Sequence, residues 1–239
     1  MTQISDYFFT GAAITNTLIG DPQSALGIRA GQTYIQDFVP LTKNTAAYAA
    51  LQTPAASAIT LSAGTGVSAV VVNGVTRFQC DAPRAVTISS GGNDIGITFL
   101  ISGYDKYGQQ MTQRVTGGNG ATVTSKKAFY SVTSVLPSGS VATTATVGTA
   151  DTFGIDIAVS DLCYLYTVGN QSKQIDTGTG VIWDTTTPAT SLTGDVRGTY
   201  APSFASNGTA RLVIETTMNA NQLAIGTAAQ IAVLGVTQA

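Results

Sequence analysis

Hydrophobic and polar positions along this sequence change rhythm twice. Across residues 1–57, aromatic and aliphatic residues fall irregularly (Tyr7, Phe8, Phe9, Leu18, Ile19, Tyr34, Phe38). They are broken by Gly20-Asp21-Pro22 and Pro40, and neither a period of 2 nor one of 3.6 persists. Thr45–Gln52, alanine-rich and followed by Pro54, is the best helix candidate. From Ala58 the pattern becomes one of short strands: 58–62, 68–72, 76–80, 84–89, 96–102, 110–116, 121–124, 129–135 and 145–147. Val86 and Ile88 share one face, and Met111, Gln113 and Val115 alternate in the same manner. Turn chemistry separates the runs: Asn73-Gly74 is a two-residue hairpin signal, while Gly91–Asp94, Tyr104–Gly108 and Gly117–Gly120 are glycine-containing turns.

Strands at roughly ten-residue spacing joined by such turns predict an all-β fold, an antiparallel β-sandwich of immunoglobulin-like or jelly-roll-like kind. Beyond residue 160 the signal weakens. Residues 162–168, 181–183, 210–216 and 230–236 read as strands, and 185–191 as a loop. The expected organisation is an irregular N-terminal arm (1–57), a sandwich domain (58–160), and a C-terminal β extension or second small β domain (161–239). The aromatics of the arm need cover. Two readings stand side by side: the arm lies across a neighbouring subunit, or it folds back on its own domain.

Composition sharpens this picture. The 239 residues include no histidine, two cysteines, 11 basic and 13 acidic residues, with 44% hydrophobic residues and a mean hydropathy of +0.22. A soluble surface normally carries more charge than this, and interfaces deplete it, so the composition points to an assembly. Net charge is −2 and the basic residues are scattered, which argues against nucleic acid as a partner. The start lacks the basic and apolar regions of a signal peptide. The longest apolar stretch, Leu223–Val236, is interrupted and too short to span a bilayer, so no membrane partner is expected. Cys80 and Cys163 read as buried reduced thiols.

Candidate chemistry is thin. Without histidine, neither Ser-His-Asp nor Cys-His catalysis can be built. Ser125-Lys126 and Ser172-Lys173 are adjacent pairs, and adjacent strand residues face opposite ways. The acidic set is 12 Asp and the single Glu215, mostly in turn contexts. Calcium is the best small-ligand option, through Asp151, Asp156 and Asp161 or Asn93 and Asp94, but none of these follows the EF-hand pattern. The glycine pairs lie between strands and open no helix, so they form no phosphate loop. No catalytic, cofactor or metal residue is therefore assigned, and an enzyme is not expected. Trp183 and the tyrosines leave a host-glycan-binding module as an alternative.

One stretch carries a resemblance. It runs through Pro83-Arg-Ala-Val-Thr-Ile-Ser-Ser90, the turn Gly91–Asp94, and Ile97-Thr-Phe-Leu-Ile-Ser-Gly-Tyr-Asp-Lys-Tyr-Gly108. It continues through Thr116-Gly-Gly-Asn119 and Lys126-Lys-Ala-Phe-Tyr-Ser-Val-Thr-Ser-Val135. In order of turns and strands, and in several identities, residues 80–150 resemble a pattern of tailed-bacteriophage virion structural proteins. The resemblance implies a protein on the capsid surface of the virion, assembled in the host cytoplasm. There it decorates or cements the head, with the major capsid protein and copies of itself as partners. A trimer is the expected homo-oligomer at local three-fold junctions. A tail component (tube, nozzle or fibre-base protein) is the alternative. The expected partner-binding anchors are the arm aromatics Tyr7, Phe8, Phe9, Tyr34 and Phe38.

Overall fold

A computed structural model describes residues 33–156, 165–169, 174–176, 178–181, 194–195 and 197–217. The strands are β1 (Thr33–Phe38), β2 (Ala49–Gln52), β3 (Val67–Val72), β4 (Val75–Ser90), β5 (Thr98–Tyr104), β6 (Gln110–Thr116) and β7 (Thr122–Pro137). They continue with β8 (Ala145–Gly154), β9 (Leu165–Gly169), β10 (Gln174–Ile175), β11 (Thr179–Val181), β12 (Thr199–Ala201) and β13 (Leu212–Thr217). Their pairings are all antiparallel, and among the described residues there is no helix. The protein is all-β and sandwich-like, as the alternation and turn signals predict.

One sheet runs β11-β12-β8-β4-β7-β5-β6, with β2 added to β8 and β3 added to β4; a second runs β1-β13-β9-β10. β2, from the segment before residue 58, and β12, from the segment after residue 160, both pair with β8. The large sheet thus draws strands from all three sequence segments. The predicted strands at 162–168, 181–183 and 210–216 overlap β9, β11 and β13, with 162–164 and 182–183 outside the described residues. Residues 185–191, 230–236 and Cys163 lie outside the described residues.

The Asn73-Gly74 hairpin forms as expected. The two residues have φ of 51° and 77°, the pair of positive values that a type I′ turn requires, and Val72 faces Val75 across it. Elsewhere strands are longer than the sequence pattern suggests. Runs 76–80 and 84–89 merge into the 16-residue β4, and runs 121–124 and 129–135 into the 16-residue β7. The β4–β7 register slips between Gln79 and Arg84 and again between Ala85 and Thr87. The first slip accommodates Pro83, which has no N–H for a ladder. At the second, Ser125 Oγ accepts the Val86 N–H at 2.8 Å and donates to Lys127 O at 2.8 Å, so a hydroxyl replaces the interrupted ladder.

Thr45–Gln52 is not a helix. Residues 45–48 make a turn, and Ala49–Gln52 is β2. A two-turn helix has little stability of its own, whereas this path fully buries Ala47, Tyr48 and Ala49 against the sheet. The close approach needs a glycine beneath it: a Cβ on Gly148 would lie 2.2 Å from Asn44 O. Ala58–Ser62 likewise forms no strand, although Ile59 is buried and donates its N–H to Val135 O at 2.9 Å.

The main core gathers Tyr48, Val86, Ile88, Phe99, Ile101, Met111, Phe129, Val132, Val135 and Val147. A smaller core holds Ala82, Phe153, Ile155, Tyr200, Leu212 and Ile214, with Phe38 and Phe204 packed against it. Arg84, only 1% exposed, ties the segment leaving β1 to this second core. Its Nη2 donates to Leu41 O and pairs with Asp81 Oδ2 at 2.8 Å, and the same carboxylate oxygen accepts the Leu41 N–H at 2.7 Å. The guanidinium lies 4.8 Å over the Phe153 ring, which meets Phe38 edge to face at 5.4 Å.

Removing one partner of a buried ion pair strands the other, so Arg84→Ala should lower unfolding free energy by about 3 kcal/mol. Arg84→Lys should recover only part of it, because an ammonium cannot bridge the carbonyl and carboxylate while stacking on the ring. Urea denaturation of the three proteins checks this.

Candidate interaction surface

Two kinds of site are worth separating: buried polar clusters, and outward apolar rows. The largest polar cluster gathers at the β5–β6 turn. Asp105 Oδ1 accepts the N–H of Tyr107 at 2.9 Å and of Gln109 at 2.8 Å, which is the local reason this turn closes. Its other oxygen pairs with Arg197 Nη1 at 2.8 Å, both side chains being buried. Arg197 covers the Tyr107 ring at 4.6 Å. Asp195 accepts the N–H of Arg197 at 2.9 Å and of Ala128 at 3.0 Å. Lys106 pairs with Asp156, and Tyr107 Oη donates to Asp156 O at 2.9 Å. Gln36 brings in β1, accepting the Asp156 N–H at 3.1 Å and donating to Gly154 O at 3.0 Å.

These groups act on backbone. Their carboxylates hold turns, strand ends and cations in place, and β1, β7, the end of β8 and the loop before β12 meet here. The calcium candidates are committed in the same way. Asp151 pairs with Lys43 at 3.5 Å and accepts from Ser206 Oγ, and Asp94 Oδ1 accepts the Ala142 N–H at 2.7 Å. Asp161 lies outside the described residues. Among the described residues no three of His, Cys, Asp and Glu come together as a metal site. Ser125 is buried and hydrogen-bonded both ways, while Lys126 is exposed. Its neighbour Lys127 is fully buried, which the sequence pair Lys126-Lys127 gives no hint of.

The outward surface differs in character. Along 35–41 the side chains alternate: Gln36 and Pro40 are buried and Phe38 half-buried, while Ile35, Val39 and Leu41 are 51%, 45% and 44% exposed. Phe38, expected as an anchor for a neighbour, therefore packs in the protein's own second core, and the aliphatics of the opposite parity face out. Tyr34 sits on β1 opposite Thr216. Tyr7, Phe8 and Phe9 lie outside the described residues, as does Trp183. Apolar residues are also exposed on both faces of the β3–β4 hairpin, Val71 (69% exposed) on one and Val70 and Val75 on the other. Residues 75–77 pair only with β3, so the hairpin projects past the β4–β7 pairing, and among the described residues the far edge of β3 is unpaired.

Charge is scarcer outside than the composition suggests. At least seven of the charged side chains are buried: Arg84, Asp94, Asp105, Lys127, Asp156, Asp195 and Arg197. Comparison of the protein with family models, with curated proteins and with solved structures finds no match.

Titration should separate the carboxylates. Burial pushes Asp195 up, against the hydrogen bonds from Ala128 and Arg197. The Arg211 hydrogen bond holds Asp37 down. At Asp176 burial opposes, but hydrogen bonds from Ser203 and Tyr200 prevail and lower it. Carboxyl carbon NMR is expected to place Asp195 above the ordinary 3.8 and Asp37 and Asp176 below it. By linkage, the stability that Asp37 and Asp176 contribute is lost as pH falls through their lowered values. Asp195 has the opposite sign, favouring the fold more in acid.

Burial also pushes the Cys80 thiol up to about 12, although the Tyr48 hydroxyl at its sulfur works the other way. Stability from this group is complete below the ordinary 9.0 and declines as pH rises from there to about 12. Iodoacetamide should modify Cys80 at least about a hundred-fold more slowly in native than in urea-unfolded protein, read by peptide mass mapping.

Proposed function

We propose that this protein is a structural component of a tailed-phage particle that decorates or cements the head. It binds the major capsid protein and further copies of itself by burying surface. The observation that carries this reading is the exposed apolar side chains on the projecting β3–β4 hairpin, Val70 and Val75 on one face and Val71 on the other, on a protein whose charges are partly held inside. Scattered exposed aliphatics are ordinary, but a cluster on a projecting hairpin marks a contact surface. The row Ile35, Val39 and Leu41 supplies a second such surface. Support also comes from residues 80–150, where the phage-protein resemblance lies: they form β4 to β8 and the turns between them, the centre of the large sheet. Asp-rich turns, a buried thiol and no histidine leave the described residues suited to holding shape.

Immunogold labelling of intact particles with antibody against the recombinant protein tests the assignment. Gold over the head supports it. Gold at the tail, or on no particle, overturns it. A paired substitution tests the surface. Val70→Asp with Val71→Asp should leave the fold intact by circular dichroism and weaken head retention about ten-fold or more, since two valines lose their burial. Unchanged retention in co-sedimentation would move the contact away from the hairpin.

A further inference from the structure

The sequence contains three Asn-Gly steps, at 73–74, 119–120 and 207–208. Such a step has an intrinsic chemistry. The glycine backbone nitrogen attacks the asparagine Cγ and forms a new C–N bond. The bond from Cγ to the amide nitrogen Nδ2 then breaks with release of ammonia. Water opens the resulting succinimide ring, giving aspartate or, through the other carbonyl, isoaspartate. No oxidant or further reactant enters. Attack needs a glycine nitrogen able to lose its proton and an asparagine amide free to swing onto it.

The structure separates the three steps by the hold on the glycine nitrogen, and at Asn207 by the hold on the amide as well. Gly208 donates its N–H to Pro40 O at 3.0 Å, and the Asn207 amide oxygen accepts from Thr209 N at 2.9 Å, Thr209 Oγ1 at 2.9 Å and Ala210 N at 2.7 Å. Both nucleophile and electrophile are held there. Gly120 donates its N–H to Gly92 O at 2.7 Å, and the Asn119 main chain bridges that of Asn93, so the nucleophile is held there. At the hairpin tip neither hold exists. Among the described residues no hydrogen bond engages the Gly74 N–H or the Asn73 amide, and both residues are exposed at the tip. The backbone there is left-handed at both residues, so ring closure requires the turn to open. Only the two tip residues and the Val72–Val75 pair need move for that.

We propose that Asn73 is a site of spontaneous deamidation in the folded protein, and that the fold suppresses the same reaction at Asn119 and Asn207. An isoaspartyl residue adds a methylene to a two-residue turn and a negative charge beside Val71, so the modification reshapes the projecting hairpin. The assignment stands whether or not that hairpin docks on a partner.

The test incubates full-length protein at pH 8 and 37 °C, native and in urea, and follows the three asparaginyl peptides by mass spectrometry, with isoaspartate assigned by chromatography. Native protein should convert Asn73 about ten-fold faster than Asn119 or Asn207, the margin set by the hydrogen bonds those steps must first give up. In urea the three rates should draw together. Equal native rates, or faster conversion at Asn119 or Asn207, would overturn the assignment. A Gly74→Ala variant, folded or not, should show slower conversion at Asn73 in urea, and an unchanged rate there would also count against it.

Discussion

Arg84 reaches from the centre of the large sheet to the segment leaving β1, and with Asp81 it takes both the N–H and the C=O of Leu41. Its flat face rests on Phe153, whose ring packs Phe38. A guanidinium can do this because it is planar, permanently charged and weakly hydrated, so donors in its plane and an aromatic below it are served together. A buried ion pair returns little net stability once desolvation is counted. Its value here is geometric. The carbonyl and amide of Leu41 are both held at one residue, so the segment after β1 has one position relative to β4 and does not slide by a residue. A slide of one residue would exchange the inward set Gln36, Phe38 and Pro40 for the outward set Ile35, Val39 and Leu41. With the Gln36 bonds to Gly154 and Asp156, this contact sets how the β1 segment sits on the large sheet.

The aspartates follow the same logic. Asp81, Asp94, Asp105, Asp176 and Asp195 each accept at least one backbone N–H. A carboxylate one methylene from the main chain reaches N–H groups that glutamate overshoots, which suits aspartate to these five positions. Charge that serves backbone is withdrawn from the surface. An already charge-poor protein is thereby left with an exterior poorer still, and its turns owe their shape to groups that a composition count assigns to solvent.

Much of this architecture was legible in the sequence, and its failures have a common cause. Asn73-Gly74 needs two positive φ values that few other pairs tolerate, so local chemistry alone decides that hairpin. The turns at 104–108 and 117–120 were legible for a similar reason, each ending on a glycine of positive φ, Gly108 and Gly120. Strand continuity was not. Pro83 and the polar run Thr124-Ser125-Lys126-Lys127 look like ends, yet register slips and Ser125 carry β4 and β7 through them. Thr45–Gln52 has helix-forming composition, and tertiary burial over Gly148 overrides it. The buried charges, Lys127, Asp195 and Arg197 above all, give no pattern in one dimension because their partners come from distant strands.

The arm shows how narrow the margin is between a right and a wrong surface. Aromatic size selects Phe38 as an anchor, but alternation along a strand, not side-chain size, decides which parity meets the core. Phe153 and Leu212 wait on one side of that strand, so the aromatic goes in and the aliphatics go out. Exposed valine, leucine and isoleucine lose hydrophobic stabilisation in proportion to area wherever they stand alone in water. At the β3–β4 tip exposed valines occupy both faces of a projection that extends past the β4–β7 pairing. Their exposure adds nothing to the protein's own stability, and an apolar projection on a sparsely charged exterior gains free energy by being covered. That asymmetry is the physical ground of the proposed contact role.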